Sequence, residues 1–219
     1  MNQAQLSQYT VKLPPLSLEG MLAFPQRAPS GLIIFAHGSG SSRFSPRNNF
    51  VAKELRKAGF ATLLFDLLSK DEESDRRNVF DIQLLSRRLE TATQWTEETP
   101  KVRGVPRGYF GASTGAAAAL VAGARLGSRI GAIVSRGGRP DLAGESLAAV
   151  TAPTLLIVGG FDEDVLTLNR QAQRALRCPT ALNIVPSATH LFEEPGALEQ
   201  VVDLAADWFA VHLAGQRNG

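Results

Sequence analysis

The segment 111–115, GASTG, combines residue types and spacing that suit nucleophilic chemistry. A short apolar stretch, 108–111, precedes it and an alanine-rich stretch, 114–124, follows it, so a strand should turn sharply into a helix. Its glycines would avoid collisions in so tight a turn. Ser113 would then stand at a helix N-terminus, where backbone N–H groups face a developing negative charge. The pattern predicts a serine nucleophile, and the alternative is a glycine-rich turn whose serine caps the helix.

A serine nucleophile needs a base, and the chain has three histidines. His190 lies in a loop expected between the last strand and the last helix, which makes it the candidate. His37 directly follows an expected strand and is better placed to shape the next loop. His212 lies near the end of the closing helix, as a partly buried or surface residue would. We predict His190 as general base, against the alternative of a loop histidine packed on Phe192.

The base in turn needs an acid that orients it. Asp162 is the first acidic residue after the strand expected at 154–158. It would lie at the carboxyl edge of the sheet, where ligands bind in α/β folds. We predict Asp162 for this role. Glu163 and Asp164 are the alternatives, and either could instead cap the next helix.

The glycine- and serine-rich loop 37–43 follows the first long strand and could supply hydrogen-bond donors. An acyl-transfer site needs two backbone N–H groups that stabilise the oxyanion. We expect one from Thr114, next to the nucleophile, and the other from Ser39, whose flanking glycines let the backbone turn inward.

The elements that would position these groups alternate between strands and helices after an initial hairpin, which predicts a mostly parallel, eight-stranded sheet with helices on both faces. Near-continuous apolar runs indicate strands buried on both faces. The expected strands are 9–13, 16–24, 31–36, 61–65, 108–111, 130–135, 154–158 and 181–185, and the expected helices are 46–58, 75–95, 114–124, 142–150, 165–176 and 199–213.

The composition favours a single domain, 1–219, with a sizeable core, since 44% of the 219 residues are hydrophobic. With 23 basic and 21 acidic residues the net charge is +2, which gives no case for nucleic-acid binding. The polar start, 1–12, lacks the apolar stretch of a signal peptide, and no apolar run approaches the ~20 residues of a membrane span. Cys178 is the only cysteine, so no intrachain disulfide forms. We expect a cytoplasmic monomer or homodimer without membrane contact.

These motifs together resemble the dienelactone hydrolase-like branch of the α/β-hydrolases. The resemblance covers nearly the whole chain and rests on HGSGSSR (37–43), FDLL (65–68), GASTG (111–115), SRGG (135–138), GGFDEDV (159–165) and SATHLF (187–192). The chain order Ser113, Asp162, His190 is that of the superfamily. The resemblance implies an α/β-hydrolase fold and ester hydrolysis through an acyl-enzyme, without metal or cofactor.

One position departs from this branch. Dienelactone hydrolases proper carry a cysteine nucleophile where this chain has Ser113, so we expect hydrolysis of small-molecule carboxylic esters or lactones in general. A non-catalytic receptor or interaction module on the same scaffold is the alternative. A dinucleotide-binding fold fits less well, because the pattern G-x-G-x-x-G, begun at Gly38, would place Arg43 at its third glycine.

The segment 136–141 is too short for a sizeable cap domain between its flanking strand and helix. We therefore expect a shallow, open site with little apolar surface for a long acyl chain. Arg136 would emerge at the ligand-binding edge of the sheet, and Arg43 follows the oxyanion loop. Either could hold a substrate carboxylate. The alternative is that both pair with nearby acids such as Asp66 or Asp141.

Overall fold

Eight strands form one sheet in the computed structural model, which describes residues 7–214. The first six residues of the polar start and the last five residues of the chain lie outside this range. The strands are β1 (Gln8–Leu13), β2 (Leu18–Ala23), β3 (Leu32–Ala36), β4 (Ala61–Phe65), β5 (Arg107–Ala112), β6 (Ala132–Arg136), β7 (Thr154–Gly159) and β8 (Thr180–Val185).

The order of the strands across the sheet is β1-β2-β4-β3-β5-β6-β7-β8. The pairs β1/β2 and β2/β4 are antiparallel, and all the others are parallel. This confirms the mostly parallel sheet and its antiparallel hairpin. The carboxyl ends of β3, β5, β6 and β7 therefore meet along one edge of the sheet.

Helices cover both faces of the sheet. They are α1 (Pro46–Lys57), α2 (Lys70–Glu73), α3 (Arg76–Val79), α4 (Ile82–Glu98), α5 (Thr114–Leu126), α6 (Glu163–Ala175) and α7 (Ala197–Ala214). The helices α1 and α7 pack on one face, while α4, α5 and α6 lie on the other. No helix within residues 7–214 is long and apolar enough to cross a membrane.

The strand β3 shows why the sheet is buried on both sides. Its five residues are all buried, and successive side chains alternate between the two faces. Leu32 and Ile34 belong to the core beside α4 and α5, whereas Ile33 and Phe35 belong to the core beside α1 and α7. A continuous apolar run therefore predicts the strand correctly.

The prediction of a single helix at 75–95 is wrong, because the helical backbone is interrupted at Phe80. Asp75 accepts a hydrogen bond from the backbone N–H of Arg77 and begins α3, and Asp81 accepts one from Leu84 and begins α4. Two capping residues thus divide the segment. Phe80, which the helical spacing assigned to the apolar face, is 50% exposed.

The short helix expected at 142–150 is instead a 3₁₀ stretch, Pro140–Ala149. It is kinked at Gly144, whose φ of 53° interrupts the helical backbone. A glycine tolerates this conformation without the steric cost that a side chain would bring. No cap domain stands between this stretch and β6, in agreement with the short segment 136–141.

Candidate active site

Ser113 lies at the turn between β5 and α5, at the carboxyl edge of the sheet. Its backbone has φ 52° and ψ −123°, a conformation that a residue with a side chain rarely adopts. Such a conformation costs ~1–3 kcal/mol and persists where the surroundings enforce it. Strain of this kind is concentrated at functional sites. The side chain makes no capping hydrogen bond, so the helix-capping alternative does not describe it.

Two glycines allow the strained turn to pack closely. A Cβ atom at Gly115 would lie 2.2 Å from the carbonyl oxygen of Ala36, at the end of β3. A Cβ atom at Gly111 would lie 2.5 Å from Cα of Ala116. Either approach is shorter than any van der Waals contact, so the pattern G-x-S-x-G is a steric requirement of this turn.

His190 contacts Asp162 directly. The distance from His190 Nδ1 to Asp162 Oδ2 is 2.6 Å, a short hydrogen bond between the two side chains. Asp162 precedes the first residue of α6 but makes no capping hydrogen bond, so its carboxylate is available to the histidine. Glu163 and Asp164 occupy the first turn of α6 and are exposed. Of the three acidic candidates, Asp162 is the one that contacts His190 within the described residues.

Ser113 and His190 both lie next to the short segment 136–137. The backbone N–H of Ser113 donates to the carbonyl of Arg136 at 3.3 Å. A Cβ atom on the next residue, Gly137, would lie 3.6 Å from Cε1 of His190. Within residues 7–214 no hydrogen bond joins Ser113 Oγ to the imidazole. Catalytic hydrogen bonds are often long without substrate and tighten when it binds.

The two residues expected at the oxyanion hole are in contact with each other. The backbone N–H of Ser39 donates to Thr114 Oγ1 at 2.9 Å. Thr114 begins α5, where backbone N–H groups have no partner inside the helix. The loop after β3 is thus attached to the residue that follows Ser113. In this arrangement the N–H of Ser39 is already engaged by a hydroxyl group.

His37 holds the loop after β3 in place through two hydrogen bonds, as its position directly after this strand indicated. Its Nδ1 lies 3.0 Å from the carbonyl of Gly38, and its Nε2 accepts a hydrogen bond from the backbone N–H of Leu67 at 3.1 Å. These partners fix a neutral ring with the proton on Nδ1. Burial lowers the pKa of His37, which further favours the neutral ring.

A cavity of about 700 Å³ lies beside Ser113, between the loop after β3 and the short helices α2 and α3. Gly38 lines it, and a Cβ atom there would lie 3.7 Å from Ser113 Oγ. The sequence led us to expect little apolar surface at the site, whereas the helices after β4 give this neighbouring cavity an apolar wall. Its apolar lining comprises Phe44, Leu67, Leu68, Val79, Phe80 and Leu85.

Sequence reasoning missed this wall, although a local signal for it exists. Ser69 and Glu72 form a reciprocal capping box, in which each side chain binds the backbone N–H of the other residue. The pattern S-x-x-E is visible in the sequence and marks the start of α2. The apolar residues of the wall are too few to give a helical periodicity of their own.

The two arginines proposed for substrate binding have different surroundings. The guanidinium of Arg43 contacts the carboxylates of Asp66 and Glu19, and its backbone N–H donates to Asp66 at 2.7 Å. Arg43 therefore fits the loop-tying alternative. Arg136 pairs with no acid within residues 7–214. Asp141, the other acid considered, pairs with Arg139 at 2.7 Å.

The curated proteins that the chain matches are about twice as long as the chain itself. The chain is 59% identical over 201 residues to a Mycobacterium tuberculosis protein named provisionally as a phosphoribosyl transferase. The match covers 92% of this chain and 45% of that protein, so the chain spans about half the length of the curated relatives it matches. No family model matches the chain.

Solved structures resemble the chain over nearly its whole length. A dienelactone hydrolase-like promiscuous phosphotriesterase from metagenomic libraries has a TM-score of 0.77 at 17% identity, covering 94% of this chain and 98% of that one. At this identity the likeness bears on the fold alone. The dienelactone hydrolase of Anabaena variabilis has a TM-score of 0.91 at 50% identity, covering 96% of this chain and 99% of that one. The chain therefore belongs to the dienelactone hydrolase-like branch of the α/β-hydrolases.

Proposed function

We propose that this chain is a serine hydrolase that cleaves small-molecule carboxylic esters or lactones through an acyl-enzyme. The observation that carries the proposal is the 2.6 Å contact between His190 and Asp162 beside the strained backbone of Ser113. A nucleophile, a base and a group that orients the base are the three parts that such chemistry needs.

In the proposed reaction, Ser113 Oγ attacks the ester carbonyl while His190 Nε2 accepts the hydroxyl proton. Asp162 binds Nδ1–H, keeps the required tautomer and stabilises the imidazolium. The tetrahedral intermediate then expels the alcohol, which takes the proton from His190. Water, activated by the same histidine, hydrolyses the acyl-enzyme and restores the serine. In a lactone the expelled alcohol stays attached to the acyl group.

The negative charge on the intermediate needs donors that are already in place. The N–H of Thr114 is one candidate, since it lies at the start of α5. Ser39 is the other, with the qualification that its N–H is bonded to Thr114 Oγ1. Since a hydroxyl that accepts one hydrogen bond can still donate its own proton, Thr114 Oγ1–H could serve the oxyanion in place of the N–H of Ser39.

The cavity beside Gly38 supports a substrate with an apolar group. Aliphatic and aromatic side chains supply much of its wall, and Glu73 and Arg76 also line it. Burying apolar substrate surface there would contribute about 25 cal/mol per Å². We therefore propose acyl groups longer than acetate, in contrast to the short substrates expected from the sequence.

The name of the Mycobacterium relatives belongs to proteins about twice as long as this chain. Residues 7–214 are accounted for by the α/β-hydrolase elements. For this chain we therefore propose ester hydrolysis and treat phosphoribosyl transfer as a competing outcome of the assay.

The test is turnover of para-nitrophenyl esters from acetate to decanoate by purified wild type and Ser113→Ala. We expect the wild type to hydrolyse these esters and kcat to fall by several orders of magnitude in the variant. The fold of the variant should persist, because the substitution removes a single hydroxyl group. Absence of ester turnover, with transfer from phosphoribosyl pyrophosphate to a purine base, would refute the proposal. Binding of esters without turnover would favour the receptor alternative.

A further inference from the structure

Arg136 is a buried cation without a counter-charge. Only 7% of the residue is exposed, and Nε and Nη1 are fully buried without a hydrogen-bond partner. No carboxylate within residues 7–214 lies at ion-pair distance from its guanidinium. Arg43, by comparison, is also largely buried but contacts two carboxylates. The fold thus gives one buried arginine two carboxylates and gives the other, among the described residues, no carboxylate, only the aromatic face of Phe192.

The side chain of Arg136 points to the face of the sheet that carries α1 and α7. Alternation along β6 sets this direction, because Val134, two residues earlier, packs in the core of that face. The guanidinium carbon lies 5.8 Å from the ring centroid of Phe192, which also belongs to this core. Phe192 is two residues beyond His190, so Arg136 lies beneath the loop that carries the proposed base.

A second arginine adds to the positive charge at this place. Arg47 pairs with Glu193 at 2.9 Å through Nη1, while its Nε is buried without a partner. Burial, and after it the charge of Arg47, lowers the pKa of Arg136 to about 10.

An unpaired charge in a protein interior is costly, and proteins usually pair it or bind an ion with it. The two guanidinium groups favour the same ligand, an anion with several oxygens. Guanidinium groups bind carboxylate and phosphate oxygens in pairs of parallel hydrogen bonds. Among residues 7–214, Glu193 forms its ion pair with Arg47 and none with Arg136.

We propose that Arg136 and Arg47 form an oxyanion-binding site for a phosphate or carboxylate group. Such an anion would come either from a free inorganic ion or from the charged end of a small organic ester. Binding of a free ion is independent of the proposed hydrolysis, because its evidence comes from buried donors and not from Ser113. Binding of an ester's charged end rests on the proposed function.

The first arm of the test measures thermal unfolding of the full chain in inorganic phosphate. At a phosphate concentration ten times Kd, we expect the Tm of the wild type to rise by about 3–6 °C. Arg136→Met should abolish the rise. Arg139→Met is the matched control, since Arg139 lies at the same sheet edge but is paired with Asp141, and it should keep the rise.

The second arm distinguishes the source of the anion. In a Ser113→Ala background, which prevents turnover, monomethyl succinate carries one carboxylate and dimethyl succinate carries none. Stabilisation by the monoester but not by phosphate assigns the site to a substrate group, and the reverse assigns it to a free ion. In both cases Arg136→Met must remove the effect. If no anion stabilises the wild type more than Arg136→Met, the proposal is wrong.

Folding of the variant is itself informative. In anion-free buffer, we expect the Tm of Arg136→Met to be at least that of the wild type, because a buried unpaired charge is replaced by an apolar side chain of similar length. A clearly lower Tm would overturn the proposal, since it would mean that the fold itself satisfies the guanidinium. Arg47→Met is a second variant, at a side chain that is one third exposed. In this variant the rise in Tm caused by phosphate must be smaller than in the wild type.

Discussion

The backbone N–H of Ser39 donates a 2.9 Å hydrogen bond to the side-chain hydroxyl of Thr114, 75 residues further along the chain. This contact joins the loop after β3 to the first residue of α5, next to Ser113. It positions both groups that were expected to bind the oxyanion, and it leaves the hydroxyl proton of Thr114 free to donate.

Thr114→Val tests this contact, because valine keeps the shape of the side chain and removes the hydroxyl. We expect kcat to fall about tenfold, the equivalent of ~1.4 kcal/mol, with a smaller change in KM. Thr114→Ser retains the hydroxyl and is the matched control, which should stay near wild type. A higher kcat in Thr114→Val would mean that the hydroxyl competes with the oxyanion for the N–H of Ser39.

The acid behind the base is tested by Asp162→Asn and Asp164→Asn. Asparagine at 162 would favour the wrong imidazole tautomer and would not stabilise the imidazolium, so kcat should fall by about 10³–10⁴. Asp164 is exposed in the first turn of α6, so its variant should lose little. Steady-state kinetics of the two variants decides between them, and the reverse ranking would assign the acid to Asp164.

The buried ring of His37 should make stability depend on pH. Its pKa is lowered by burial in the folded chain, so the unfolded chain binds more protons between that lowered pKa and the ordinary value of ~6.5. Stability should therefore decrease as pH falls below about 6.5 and be constant above it with respect to this group. Denaturant unfolding at pH values across this range measures the effect.

His37→Gln is the variant for this measurement, since glutamine can still accept from Leu67 N–H but does not titrate. The wild type should lose more stability than the variant between neutral and mildly acidic pH. An equal loss in both proteins would show that His37 makes no contribution to the pH dependence.

The cavity predicts a preference for longer acyl groups. Filling the cavity with a larger side chain should remove this preference. Val79 lines the cavity, and Val79→Trp should reduce kcat/KM for hexanoate esters while sparing acetate. Val211→Trp introduces the same side chain on the exposed surface of α7, 70% exposed, and should change neither. If the wild type hydrolyses acetate faster than hexanoate, the cavity does not bind the acyl group.

Much of the fold follows from local sequence patterns. Apolar runs such as 32–36 and 61–65 are buried on both faces, and G-x-S-x-G predicts the tight turn because small residues are sterically required there. The helical spacing of apolar residues did not predict the interruption at Phe80, because this spacing contains no information about the capping of α4 by Asp81.

Contacts between distant parts of the chain account for the rest. Arg43 and Arg136 have the same side chain, and only the tertiary structure brings carboxylates to the first and none to the second. The bond from Ser39 to Thr114 and the wall of the cavity likewise arise from segments that are far apart in sequence. Residue types and spacing mark the participating segments, but they do not specify which atoms of distant segments meet.

Ser113 becomes acylated in the proposed reaction, and covalent labelling tests this step most directly. A fluorophosphonate reacts with a serine only when a neighbouring base activates it and the oxyanion donors are in place. Incubation of the purified chain followed by peptide mapping should locate one modification, on Ser113, and the rate of labelling should collapse in Asp162→Asn. No labelling of the folded wild type, or modification of another residue at the same rate in Ser113→Ala, would contradict the proposed mechanism.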